Sequence, residues 1–252
     1  MNAETSAKAG TVTSTVASAA AGTVTSTAPS AILGTPAHVA PRVAVVDYHK
    51  GNLQSVVRSL GDVGANAIAT DDPDLIAQAD AVVVPGVGAF EDAMTYLRSS
   101  GEAEAILDAA SRGVPFLGIC LGLHVLFERG AERSDGTAGD WIDGLGVLPG
   151  SVTRLESKRL KVPHVGWDQL HLTAYGRDCP LYKDVPEGAN VYFTHSYALA
   201  DDVDDAIVTT RSHYTRSFAS GVWCNNVFGV QFHPEKSSTT GLAILRNFVD
   251  SL

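Results

Sequence analysis

The run Pro115-Phe116-Leu117-Gly118-Ile119-Cys120-Leu121-Gly122 joins an apolar strand-like stretch to a turn with a glycine two residues either side of a cysteine. Glycines there remove the side chains that would clash in so sharp a turn. The spacing therefore predicts a strand, Cys120 exposed at its carboxyl end, and a helix over 121–129. A helix starting at that point supplies N–H groups and a positive dipole end, both of which favour a thiolate. Free cysteine is also among the most buried residue types, so a structural cysteine is the competing reading of this motif taken alone.

A second strand-like run ends in Phe228-Gly229-Val230-Gln231-Phe232-His233-Pro234-Glu235. In extended chain, positions i and i+2 share a face, and Pro234 biases His233 toward extended geometry, so the imidazole and the Glu235 carboxylate are expected side by side. Cysteine, histidine and an orienting carboxylate, distant in sequence and joined through the fold, are the parts of nucleophilic catalysis. His-Pro-Glu taken alone also fits a capping turn before a helix that begins near Ser238. The third element is Ala81-Val82-Val83-Val84-Pro85-Gly86-Val87-Gly88, a β-branched strand running into a glycine turn. Such a turn can present the N–H of Val87, which with that of Leu121 makes a two-donor oxyanion hole framed by Gly86 and Gly88. A phosphate loop fits poorly, because no Gly-Lys-Ser/Thr follows.

Strand-like segments at 43–47, 67–70, 81–84 and 116–119 alternate with helix-like segments at 53–63, 90–99 and 102–112. That alternation predicts an α/β fold in three layers, a mostly parallel central sheet with helices on both faces. Strand-like runs at 147–155, 167–170, 191–199, 206–210, 217–224 and 228–232 are expected to complete the sheet and to form a smaller antiparallel layer, closed by a helix over 241–249. The site belongs outside the carboxyl ends of the parallel strands, where ligands of open α/β sheets bind.

Residues 1–40 are rich in alanine, threonine and serine, carry only Glu4 and Lys8 as side-chain charges, and repeat Gly-Thr-Val-Thr-Ser-Thr at 10–15 and 22–27. They cannot bury enough apolar surface to offset their ordering entropy, so a disordered low-complexity extension is expected, followed by one domain over 41–252. Neither the basic start and unbroken apolar run of a secretory signal nor the arginines of a transit peptide are present. No segment is long and apolar enough for a membrane helix. A formal net charge of −10 argues against a nucleic-acid partner. Three cysteines without regular spacing fit a reducing compartment, the cytoplasm, with Cys120 reactive and Cys179 and Cys224 as bystanders. His164, His171 and His195 lack metal-ligand spacing, and no metal or other cofactor is expected.

Taken together, the elbow, the His-Pro-Glu and the Pro-Gly-Val-Gly turn resemble the triad-type (class I) glutamine amidotransferases, whose fold is flavodoxin-like. Asp47-Tyr48-His49-Lys50-Gly51-Asn52, Val162-Pro163-His164-Val165-Gly166-Trp167-Asp168, Tyr192-Phe193-Thr194-His195-Ser196-Tyr197 and the His-Pro-Glu-Lys-Ser ending at Ser237 narrow the resemblance to the glutaminase subunits of imidazole glycerol phosphate synthase, over residues 42–252. The resemblance implies glutamine hydrolysis through a thioester on Cys120, with His233 and Glu235 as base and orienter. It also implies ammonia transfer to a (β/α)₈-barrel cyclase partner in histidine biosynthesis. By the same resemblance Glu132 holds the substrate's α-amino group, although the charged segment 128–135 also reads as a solvated helix end. His124 stands where the family has glutamine and, one helical turn beyond Cys120, is expected at the substrate pocket. His49 replaces a common family glycine, while Asn52 matches a position near the oxyanion strand and is assigned a gating role. Trp167 and Lys236 match positions toward the cyclase interface, against the plainer readings of a core aromatic and a solvated lysine. The rival functions are another triad amidotransferase, a cysteine peptidase or γ-glutamyl hydrolase, and a non-catalytic binding subunit.

Overall fold

The computed structural model describes residues 39–49, 51 and 53–252. The expected extension thus lies, up to His38, outside the described residues, as does Asn52 with its gating role. The chain runs β1 (Arg42–Val46), α1 (Leu53–Asp62), β2 (Asn66–Thr70), α2 (Pro73–Ala77), β3 (Ala81–Gly86), α3 (Phe90–Ser100), α4 (Glu102–Ser111) and β4 (Phe116–Cys120). It continues with α5 (Leu121–His124), β5 (Phe127–Glu132), β6 (Ala138–Asp143), β7 (Leu148–Arg154), β8 (His164–Gln169), β9 (His171–Leu172), β10 (Asn190–His195) and β11 (Tyr197–Leu199). Strands β12 (Val208–His213), β13 (Ser217–Cys224) and β14 (Val227–Val230) precede the closing helix α6 (Ser238–Asp250).

An eight-stranded sheet in the order β2-β1-β3-β4-β14-β13-β12-β9 forms the centre. The first five strands are parallel and the last three turn antiparallel. Its parallel half follows the flavodoxin-like order, with β14 as the fifth strand. Every residue of β3 is buried, as a strand covered on both faces requires. Ala81 and Val83 join the apolar core under α1 and α6, whereas Val82 and Val84 join the opposite core under α3 and α4. On α6 the buried positions Gly241, Ile244, Leu245, Phe248 and Val249 make one helical stripe. Gly101, at φ 84°, ends α3 and opens α4, the left-handed cap that glycine adopts without strain.

Two smaller sheets flank this core: the antiparallel pair β10-β8, and β11-β7-β5-β6. The second is mixed rather than wholly antiparallel, because β5 and β7 run parallel. The helix expected over 121–129 is a single turn, α5, and the chain then enters β5. Residues 121–127 are buried throughout, so no polar face marks a helical period there, and tertiary pairing overrides the local pattern. The Leu145 N–H donates to the Val125 carbonyl and the Leu148 N–H to that of Leu126. Among the described residues no helix is long and apolar enough to cross a membrane.

Candidate active site

β3 and β4 are paired with Gly86 opposite Cys120, so Val87 and Leu121 are the first residues beyond the ladder on each strand. Cys120 itself holds φ 55° and ψ −108°, a strained backbone for any residue with a side chain. Its flanking glycines are required by contact as well as by turn shape. A Cβ at Gly122 would lie 1.6 Å from the Val84 carbonyl oxygen, and one at Gly118 would lie 2.6 Å from the Gly122 carbonyl oxygen. Cys120 is buried at the strand's end rather than exposed as its spacing predicted, because the elbow demands that β3, β4 and α5 meet backbone to backbone.

His233 follows β14, which pairs with β4. Its N–H donates to the Tyr192 carbonyl at 2.9 Å, and the Ser237 hydroxyl donates to its carbonyl at 2.6 Å, anchoring the backbone on both sides. The ring Nδ1 lies 2.8 Å from Glu235 Oε1, and both side chains are buried. A 3₁₀ turn at Pro234–Lys236, not extended chain, makes this approach, since proline presets the φ of the turn's first residue. A carboxylate accepts only, so Nδ1 carries a proton, and Nε2 has no hydrogen-bond partner among the described residues. Burial opposes charge on the ring, yet the neighbouring Cys120 sulfur and the Glu235 carboxylate outweigh it and raise its pKa to about 10.

A cavity of about 530 Å³ opens beside the sulfur, lined among others by Val87, Gly88, Leu121, His124 and Glu132. Thr194, His195, Ser196 and Tyr197 also line it, with the Thr194 carbonyl 3.9 Å from the Cys120 sulfur. Glu132 sits on β5 rather than on a solvated helix end; its Oε2 accepts the Phe90 N–H at 3.3 Å, and burial raises its carboxyl to about 7. His124 borders the cavity, but its Nε2 is 2.8 Å from Gln231 Oε1, and burial lowers the ring to about 4 against the effect of that bond. Gln231 in turn points its Nε2 at the Cys120 sulfur, 3.7 Å away. The sequence signal for Gln231 is its place two residues before His233, on the same face of an extended run.

His195 Nδ1 donates to the Tyr197 carbonyl at 2.8 Å, and its Nε2 is 3.2 Å from His164 Nδ1. His171 is exposed and pairs with Glu187 at 2.9 Å. His49 has φ 59°, the left-handed backbone that glycine adopts freely. Trp167 is 55% exposed beside Val165 at 57%, so it is not a core aromatic, and Lys236 is exposed. Cys179 is buried, which pushes its thiol up to about 12.

The family model for class-I glutamine amidotransferases matches residues 44–252. Imidazole glycerol phosphate synthase subunit HisH of Syntrophotalea carbinolica is 42% identical over 214 residues, spanning 82% of this chain and 99% of that protein. The HisH subunit of Moorella thermoacetica is 45% identical over 206 residues, 82% of this chain and 93% of its own length. This chain belongs to the HisH family of class I glutamine amidotransferases. The HisH-family enzyme shares its fold with more distant proteins: the structure of PurLQS from Thermotoga maritima superposes with a TM-score of 0.63 at 20% identity, covering 84% of this chain and 99% of the other.

Proposed function

We propose that this HisH-family chain hydrolyses glutamine to glutamate and ammonia at Cys120. We further propose that it delivers the ammonia to a (β/α)₈-barrel cyclase, completing an imidazole glycerol phosphate synthase of histidine biosynthesis. The observation that carries the reading is the buried His233–Glu235 pair, whose free Nε2 stands beside Cys120 at the wall of a substrate-sized cavity. Cys120 passes its thiol proton to His233 Nε2, the sulfur attacks the side-chain amide carbon of glutamine, and the carbonyl electron pair moves onto oxygen. The N–H groups of Val87 and Leu121 receive that oxyanion. As the tetrahedral intermediate collapses, His233 Nε2 gives its proton to the departing nitrogen, leaving a thioester. Water then attacks the thioester while His233 takes its proton, and collapse releases glutamate and the sulfur. Glu235 holds the ring in the tautomer both halves need. Glu132 receives the α-amino group.

Cyclase delivery fits the exposed apolar residues Val165 and Trp167, a face for the partner. Transfer without release protects ammonia from protonation in bulk water. The cyclase uses it to form imidazole glycerol phosphate and the aminoimidazole carboxamide nucleotide. Three unpaired cysteines suit the cytoplasm. Glutamate release by the chain with its cyclase is the test. Cys120→Ala is expected to abolish it while assembly persists, and retained hydrolysis in that variant would refute the assignment.

A further inference from the structure

Gln231 is completely buried, and its backbone N–H is held by the Ser220 carbonyl at 3.0 Å. Its side-chain amide spans the gap between two other buried groups, with Oε1 2.8 Å from His124 Nε2 and Nε2 3.7 Å from the Cys120 sulfur. An amide has two unlike ends. With nitrogen toward the sulfur it donates to a thiolate; turned over, its oxygen accepts from a neutral thiol. Whichever end of the amide bonds to His124 thus decides which end the nucleophile meets.

We infer that Gln231 stabilises the anionic sulfur of Cys120 by an N–H···S bond, and that His124 is the positioning residue that locks the amide that way round. The inference rests on Cys120 being the nucleophile. His124 is neutral across the working pH range because burial lowers its pKa to about 4, so the ring carries one proton. Placed on Nε2, that proton donates to Gln231 Oε1 and the amide nitrogen must face the sulfur. A buried polar pair contributes little net stability compared with an apolar pair of the same shape. Its effect at the sulfur is therefore the larger consequence. This gives His124 a role besides any contact with the substrate, since its Nε2 is bonded to Gln231.

Iodoacetamide alkylation of the full chain without glutamine, followed at each cysteine by peptide mass spectrometry, separates these roles. At neutral pH, Gln231→Met is expected to slow labelling of Cys120 about tenfold, the effect of losing a hydrogen bond to a charged acceptor. Cys224, which lies on β13, serves as the internal reference. His124→Leu is expected to slow it likewise, and His124→Gln, which restores an N–H donor, to recover most of the rate. In turnover with the cyclase, kcat falls in Gln231→Met while KM for glutamine holds. Folded Gln231→Met labelling Cys120 within about twofold of the parent would overturn the inference, as would a change confined to KM. Should Gln231→Met not fold, the contrast between the two His124 variants decides. Failure of the nucleophile assignment reads differently: Cys120→Ala would then retain hydrolysis.

Discussion

Tyr48 shows how tightly the turn beside Cys120 is packed. Its hydroxyl is buried without a hydrogen-bond partner among the described residues, and a Cβ on Gly86 would fall 1.4 Å from it. Burial, reinforced by the charges of Cys120 and Glu102, pushes the phenol upward and keeps it neutral. Removing an unpaired buried hydroxyl removes a desolvation cost, so Tyr48→Phe is expected to raise unfolding stability by about 1 kcal/mol in urea titrations. A lower midpoint would mean that the hydroxyl is bonded. Gly122→Ala is expected to act the other way. Its methyl would enter the Val84 carbonyl, backbone against backbone, and the loss should reach about 3 kcal/mol or more, with the elbow disturbed.

The start of α4 sets two electrostatic effects against each other. Glu102 opens the helix, where an acid complements the dipole, but its side chain is buried and Oε1 has no partner among the described residues. Burial wins: the carboxyl rises from 4.5 to about 7, partly opposed by the Ser100 hydroxyl. Between those values the folded chain keeps a proton that the unfolded chain releases, so this group lowers stability as pH rises through the window and continues to do so above it. Glu102→Gln is therefore expected to be more stable than the parent near pH 8, by up to about 3 kcal/mol, with the gain gone once pH falls below 4.5. Equal gains at both ends, in denaturation midpoints, would show that charge is not the cause. Sequence patterns read elements such as β3, α1 and α6 well because their apolar spacing is regular. They misread 121–129, where every side chain up to Phe127 is buried and period carries no information.

Across the whole molecule, the carboxyl ends of β3 and β4 gather the elbow and the glycine turn at one cavity, and the pairing of β14 with β4 brings His233 beside Cys120. Trp167 stands half out of the β8–β10 layer, with Tyr192 edge-on at 6.0 Å. Trp167→Ala is expected to leave the melting temperature unchanged and to weaken cyclase binding about tenfold or more, as loss of an aromatic anchor does. Unaltered binding in titration calorimetry would place the interface elsewhere. The isolated chain should also release glutamate slowly and accelerate when cyclase and its nucleotide ligand are added; full activity alone would point to a stand-alone hydrolase.

Local spacing was enough to foretell the α/β alternation, the turn at Cys120 and the nearness of His233 to Glu235, because each depends on backbone geometry over a few residues. The tertiary structure alone decided that β5 replaces a helix, that Glu132 lies in a strand, and that Gln231 links His124 to the sulfur. Those outcomes depend on contacts between segments far apart in the chain, where burial and pairing outweigh any local preference.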